Sequence, residues 1–465
     1  MLQAPEIMNP AENPLPAVAR FGLLALLMAA PLAFGAVQPW AWGTMTVVAS
    51  CLLLLWALGC VRAGRLTLLW SPLYVPGVAL LVLAAVQLRF GLTRDEIGTR
   101  EAVIKLATCL IIFFLAQHLF EEASPPVWRT AGIAIGVYLL AIAVFAILQA
   151  FAWPGLLYGV VKPRWDGYLF GPYVNHNHYA GLMEALLPLT TGSLLTLPEG
   201  HKWKPIGMFA LLVGLSSVLL CGSRSGTLAA LLELAMFLLI MAGRPAPAVG
   251  VLGCRGRAPG APAVGVLGWR GTPALFGLGV VMLAAALFAF LDAGGVRNRW
   301  TEAADSPEAA AGARYSMTAD ALRIWRDEPV AGFGMGAFSA AYPRYQSWAT
   351  DLAVDHAHND YAEFLAETGA VGGAILIAGI ALLLGCGFGG LSRRLAGPAG
   401  WMRTAGAIGC CGLLLHSFTD FNLHIPANAA WFSLAAAFAT GDRRRSLHPS
   451  KPNTGLLGTP ADERC

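Results

Sequence analysis

The dominant feature of the sequence is a series of apolar stretches, each near the length that a helix needs to cross a bilayer. Crossing the hydrocarbon core takes about 20 predominantly apolar residues in helical form. Between its polar segments the chain has twelve such stretches, and we predict an all-α, polytopic membrane helix bundle of about 12 transmembrane helices. The stretches lie near 21–37, 43–61, 72–88, 103–120, 131–151, 179–197, 205–221, 225–242, 273–292, 370–391, 404–420 and 425–440.

The composition excludes several other classes of protein. Of the 465 residues, 57% are hydrophobic and only 12% are charged, whereas an ordinary soluble domain carries about 25% charged residues. An aqueous fold does not have enough interior to hide so much apolar surface. A soluble multi-domain enzyme, a disordered protein and a nucleic-acid binder are therefore excluded.

The distribution of Lys and Arg predicts the orientation of the chain. With the N-terminus in the cytoplasm, 18 of the 31 basic residues fall on the cytoplasmic side and 13 fall outside. Six of those 13 lie in one long loop, near 293–369, which the positive-inside rule does not count. We predict cytoplasmic termini and place the long loop, between helices nine and ten, on the outer side.

The segments between the apolar stretches suggest a division of the chain. Two nearly identical ten-residue repeats at 247–256 and 262–271 are rich in Pro and Gly, which is typical of a flexible linker. We predict a cytoplasmic leader (1–20), five N-terminal helices (21–151), a core (152–440) with a cytoplasmic linker (243–272) and the outer loop (293–369), and a disordered cytoplasmic tail (441–465).

One outer segment places polar residues at the mouth of a predicted helix. Arg164 precedes a run of Asn175, His176, Asn177 and His178. Such residues cap helices, and they also suit the binding of a sugar or an anion. Capping accounts for one of the four, so both interpretations stay open.

Two further outer segments each contain an arginine among small residues. Ser223-Arg224-Ser225-Gly226 lies between two apolar stretches, and Arg314 follows Gly-Ala in the long loop. Arginine near a membrane is costly unless it has a purpose, although its long side chain can extend to the headgroups. The small neighbours of Arg224 favour close approach of a ligand.

The densest polar cluster lies before the tenth apolar stretch and contains His356, His358 and Asn359 between two aspartates, Asp355 and Asp360. Histidine titrates near neutral pH and can take a proton from a hydroxyl nucleophile. A metal site formed with His176 and His178 is the weaker alternative, because the spacing is nonspecific. The segment 416–424, with its Asp and His, is expected either to brace this site or to cap helices.

Five short motifs occur in the order seen in the O-antigen ligase / O-antigen polymerase family, and residues 160–440 resemble that family. The motifs are GPYVNHNHYAG, SRSG, GAR followed by PVAGFGMGAF, HAHNDYAEFLAETGAVG and HSFTDFNLHIPANA. The resemblance implies an all-α bundle of the GT-C type in the bacterial inner membrane. It also implies transfer of a glycan from an undecaprenyl-pyrophosphate carrier to an acceptor hydroxyl, on a glycan or on lipid A-core, at the periplasmic face. No metal or other cofactor is implied.

The resemblance also assigns roles to residues of this chain. Arg224 and Arg314 look like the arginines that hold the lipid pyrophosphate, and His358 looks like the catalytic histidine. Members of the family often carry Arg between the two Asn, where this chain has His176. Further residues expected to bind substrate or pyrophosphate are Arg164, Asn175, Asn177, His178, His356 and Asn359.

Two questions about function stay open from the sequence. Ligase and polymerase share these motifs and differ in the acceptor. A transporter or flippase of lipid-linked glycan is the alternative from another class. Transporters place functional charges at mid-membrane, whereas most ionisable residues here gather at the outer boundary, with Glu233 as the clearest mid-span acid.

Overall fold

The computed structural model describes residues 13–121, 123–163, 168–243, 307–348, 353–391, 395 and 397–441, without the side chains of 307–311. The predicted ninth span (273–292), nearly all of the linker and the tail, most of the leader, and Arg164 lie outside the described residues.

The described residues are mostly helical, and among them there is no β-strand, only two isolated bridges. The prediction of an all-α protein is therefore confirmed for this part of the chain. The helices are α1 (Leu15–Leu32), α2 (Pro39–Arg62), α3 (Tyr74–Arg89), α4 (Glu96–Phe120), α5 (Pro125–Ala152), α6 (His176–Thr196), α7 (Trp203–Cys221), α8 (Arg224–Ala242), α9 (Pro307–Asp327), α10 (Phe338–Ala341), α11 (Asp360–Phe388), α12 (Pro398–His416) and α13 (Pro426–Thr440).

Seven of these helices are long and apolar enough to cross a membrane: α1, α2, α4, α5, α7, α8 and α11. The shorter apolar helix α3 also coincides with a predicted span, as do α6, α12 and α13. The chain is thus consistent with a polytopic helical membrane protein. The number twelve stays a prediction, because seven described helices meet the criteria of length and hydropathy.

Helices α6, α12 and α13 are less apolar because they lie inside the bundle. Nearly all side chains of α6 are buried, whereas only a few residues of α2 are buried. The α6 and α12 backbones approach closely: a Cβ on Gly192 would lie 2.6 Å from Ala405 Cβ, and one on Gly409 would lie 2.8 Å from Glu184 O. Small residues permit such approach between membrane helices. Helices surrounded by protein can carry polar groups that a lipid-facing helix would not tolerate.

Part of the predicted outer loop forms a second, smaller core. Met317, Ile324 and Phe338 are among the residues of this hydrophobic cluster, in which α9, α10 and the start of α11 meet. Buried Asp320 accepts a hydrogen bond from Tyr342 Oη at 3.0 Å. Met317 and Ile324 both lie on α9 (Pro307–Asp327).

The segment 332–336 forms a turn rich in glycine. Gly332, Gly334 and Gly336 all have positive φ, and a Cβ on Gly332 would lie 2.3 Å from the Glu367 backbone. The expected boundary between loop and span, at 369–370, is the site of a break in α11 at Gly369 (φ 63°). Helical structure already begins at Asp360, because the Asn359 side chain caps the first turn.

Candidate active site

Two of the outer polar residues cap helices, which positions their neighbours. The Asn175 side chain accepts a hydrogen bond from Asn177 N at 2.9 Å and starts α6. The Asn359 side chain accepts hydrogen bonds from the backbone N–H groups of Tyr361 and Ala362, both at 3.1 Å, and starts α11. Asn177 and His178 lie in the first turn of α6, and His358 immediately precedes Asn359.

Asp420, in the turn between α12 and α13, is the point at which these elements meet. Its side chain is fully buried. Asn177 Nδ2 donates to Asp420 Oδ2 at 2.5 Å. His358 Nδ1 lies 3.3 Å and His178 Nε2 lies 3.6 Å from Asp420 Oδ1. Arg314 reaches the other oxygen, at 3.7 Å.

The contacts of Asp420 determine its charge. Burial by itself would raise the pKa of a carboxyl group, but the contacts with His178 and His358 hold the pKa of Asp420 well below its usual range. Asp420 is therefore a buried carboxylate, and it orients the groups that surround it.

His358 combines an unusual backbone conformation with a partly exposed side chain, as functional residues often do. Its φ of 51° lies in the left-handed region, which non-glycine residues rarely adopt and which costs of the order of 1 kcal/mol or more. Its side chain is 26% exposed. Because Nδ1 faces Asp420, Nε2 lies on the opposite edge of the imidazole ring, where it can meet a ligand.

The two arginines lie on either side of Thr419, the residue before Asp420. Arg314 Nη1 donates to Thr419 O at 3.3 Å. Thr419 Oγ1 donates to Ser225 Oγ at 2.7 Å, next to Arg224, the first residue of α8. The guanidinium of Arg224 is exposed. Arg314 therefore lies against Thr419 and Asp420, and the segment that carries Arg224 reaches Thr419 through Ser225.

A second polar network lies beside Asp420. His424 Nδ1 lies 2.6 Å from Asp360 Oδ1, and its Nε2 lies 3.5 Å from Glu363 Oε1. Glu363 also bonds His356 Nδ1 at 2.7 Å and accepts the Ala357 N–H at 2.7 Å. Burial alone would lower the pKa of His424, but Glu363 and Asp360 raise it to about 10. His424 is therefore an imidazolium that joins α11 to the α12–α13 turn.

One aromatic ring separates the two networks. Phe421 stacks on His356 with ring centroids 4.2 Å apart, and it meets His178 and His358 edge-on at 4.6 Å and 4.8 Å. The ring therefore packs against three imidazole rings.

Comparison with known proteins identifies the region that carries this site. Residues 209–377 match the family model described as O-antigen ligase. This region is similar to the O-antigen ligase family. No curated protein gives a significant match to the chain. The resemblance inferred from the motifs is thereby confirmed.

The O-antigen ligase region contains only part of the candidate site. Arg224, Arg314 and His358 lie within it, as do His356 and Asn359. Asn177 and His178 precede it and Asp420 follows it, and the fold brings them back to His358. The geometry therefore joins two segments outside the matched region to the residues within it.

The structure groups the residues expected from the sequence in different ways. His358, Asn177, His178 and Arg314 converge on Asp420, and Arg224 is connected to them through Ser225 and Thr419. Asn175 and Asn359 form helix caps, an interpretation that the sequence left open for Asn175, and His356 belongs to the second network.

Sequence reasoning missed Glu363 and gave Asp420 and His424 only a bracing role. Spacing offered one signal: Glu363 follows Asp360 by three residues, so both carboxylates lie on one face at the start of α11. The partners of Asp420 come from distant parts of the chain, and no local pattern predicts them.

The described residues contain one His and carboxylate group compact enough to hold a metal ion: the ligand atoms of His356, Glu363 and His424 lie within 4.8 Å of one another. Two imidazoles and a carboxylate are a common zinc donor set. Here, however, each donor is already paired with another member of the network, and Asp360 supports His424. Hydrogen bonding alone accounts for the arrangement.

Proposed function

We propose that this protein is an inverting, metal-independent glycosyltransferase that moves a glycan from an undecaprenyl-pyrophosphate carrier to an acceptor hydroxyl. The reaction takes place at the periplasmic face of the bacterial inner membrane, and both chain termini lie in the cytoplasm. The observation that carries the proposal is the position of His358 against Asp420, beside two arginines, in an O-antigen ligase region.

The histidine acts as the general base. Asp420 keeps the proton of His358 on Nδ1, so Nε2 is free to accept the proton of the acceptor hydroxyl. The hydroxyl oxygen then uses its electron pair to attack the anomeric carbon from the face opposite the pyrophosphate. The imidazolium that forms is stabilised by the Asp420 carboxylate 3.3 Å away.

The arginines act on the leaving group. When the bond between the anomeric carbon and the pyrophosphate oxygen breaks, negative charge develops on the pyrophosphate. A guanidinium fork binds phosphate oxygens bidentately and stays charged, so Arg224 and Arg314 stabilise that charge. Asn177 holds Asp420 in place, and His178 adds a second imidazole beside it.

Analysis of carrier lipids tests the proposal in the cell. The gene is deleted, and the lipid-linked and surface glycans are analysed by mass spectrometry. The result distinguishes a polymerase from a ligase. Single repeats accumulating on the carrier indicate a polymerase, and long polymer still on the carrier indicates a ligase. Carrier pools that stay undisturbed contradict both.

One observation favours the alternative, a transporter or flippase of lipid-linked glycan. Glu184, Glu233 and His416 are buried inside the helix bundle, and ionisable residues at membrane depth are typical of transport pathways. Purified protein in liposomes distinguishes the two functions. Movement of donor lipid between leaflets without glycan transfer supports the flippase, and transfer to an acceptor supports the enzyme.

A further inference from the structure

Three ionisable side chains lie buried in the helix bundle, next to the candidate active site but outside its proposed chemistry. Glu184 of α6, Glu233 of α8 and His416 of α12 are each at most 3% exposed. None of them takes part in the proposed transfer reaction. Ionisable groups are expensive in a membrane interior and most often mark a functional site there.

Pairing within this group is incomplete. His416 Nδ1 and Glu184 Oε1 lie 2.6 Å apart, inside hydrogen-bond distance. Glu184 Oε2, His416 Nε2 and both carboxyl oxygens of Glu233 are buried and have no hydrogen-bond partner among the described residues. Buried polar atoms in proteins nearly always have a partner, either protein or ordered water. Four such atoms in one region therefore point to a small polar ligand.

Glu184 and Glu233 both pack against α12, the helix that carries His416. A Cβ on Gly412 would lie 2.0 Å from Glu233 Oε1, so the Glu233 carboxyl packs directly against the α12 backbone. His416 lies one turn later, and because helical side chains tilt toward the N-terminus its ring leans back over Gly412. Glu184 packs its backbone carbonyl at Gly409, one turn earlier.

The surroundings determine the charge of Glu233. The other titratable groups that face it are Glu184 and the thiols of Cys410 and Cys411 on α12. None of these groups brings a positive charge to Glu233. A carboxylate buried without a counter-charge is too costly to persist, so Glu233 is a neutral carboxylic acid that carries its proton.

We propose that Glu184, Glu233 and His416 form a buried proton-binding site, in which water bridges the neutral Glu233 to the Glu184–His416 pair. The site adjoins the candidate active site, because the carbonyl of His416 accepts the Asp420 N–H at 3.2 Å. Its ligand is a proton with its accompanying water. The proton of Glu233 is therefore exchangeable.

Infrared spectroscopy of the full-length protein in lipid nanodiscs tests this site directly, since a protonated carboxyl group has its own carbonyl stretch. We expect wild-type protein to show this band at neutral pH, Glu233→Gln to lose it, and transfer into D₂O to shift it. Glu184→Gln is expected to move the band as well, because Glu184 shares the site. The matched control, Glu96→Gln, replaces an exposed carboxyl and leaves the band unchanged.

Three outcomes would overturn the proposal. The bands of wild type and Glu233→Gln could be identical, the band could fail to shift in D₂O, or its position could be unchanged in Glu184→Gln. A measurement on wild-type protein covers the case in which the variants fail to fold. A hydrophobic carbodiimide adds to a protonated carboxyl in an apolar environment, and rearrangement leaves a stable N-acylurea. Peptide mass analysis should find this adduct on Glu233, and its absence there also contradicts the proposal.

Discussion

His358 Nδ1 lies 3.3 Å from Asp420 Oδ1, although 62 positions separate the two residues in the sequence. One carries the imidazole at the end of the long outer loop, and the other lies in the turn between the last two helices. The carboxylate is fully buried and the imidazole is partly exposed. This pairing places the imidazole of His358 beside a buried carboxylate.

Replacing Asp420 by Asn tests that pairing. Asn keeps the size of the side chain but removes the charge, so His358 loses the group that orients it and stabilises its protonated form. We expect glycan transfer to fall by about 100-fold or more. The measurement is the rate of transfer in liposomes, with the thermal unfolding midpoint as the control for folding. Transfer at the wild-type rate would remove Asp420 from the mechanism.

Replacing each arginine by lysine tests whether the positive charge is sufficient or whether the planar guanidinium group is needed. Arg224→Lys and Arg314→Lys each keep one positive charge but lose the planar fork that binds two phosphate oxygens. Both variants should lose most of their transfer activity. Arg100→Lys is the matched control, since Arg100 lies on the exposed side of α4 and pairs with Glu96. Full activity in either test variant shows that its arginine does not hold the pyrophosphate.

The raised pKa of His424 predicts a loss of stability in alkali. The folded protein holds this proton up to about pH 10, whereas an unfolded histidine releases it near pH 6.5. The stabilisation is therefore complete below about pH 6.5 and disappears as the pH rises through about 10. Thermal unfolding of wild type and His424→Gln across this range measures it. The difference between the two should shrink with rising pH, and a constant difference would refute the assignment.

Removal of metal ions distinguishes the two interpretations of the second network. If His356, Glu363 and His424 form only a hydrogen-bonded network, transfer should be the same before and after treatment with EDTA. The measurement is the transfer rate of purified protein after chelation, then after addition of Zn²⁺ or Mg²⁺. Inhibition by EDTA that added metal reverses would show that the network is a metal site.

The sequence predicted the helices of this protein better than the contacts between distant residues. The length of an apolar stretch can be read locally in the sequence, so all the described helices except α9 and α10 coincide with predicted spans. This holds even for α6 and α12, which are less apolar and are surrounded by protein. Asn175 and Asn359 were recognisable as potential caps from position alone. The convergence of Asn177, His358 and Arg314 on Asp420 depends on how four distant segments pack, and the sequence contains no periodic signal for it.

The role of His358 as general base is tested by glycan transfer with purified protein. The assay uses liposomes that contain undecaprenyl-pyrophosphate-linked glycan and an acceptor. Wild-type protein should transfer the glycan, and His358→Ala should not, while both remain folded. His358→Gly is the control for backbone strain: it should be as inactive as His358→Ala but more stable, because glycine adopts the φ of 51° freely. Transfer by His358→Ala at the wild-type rate would show that His358 is not the general base.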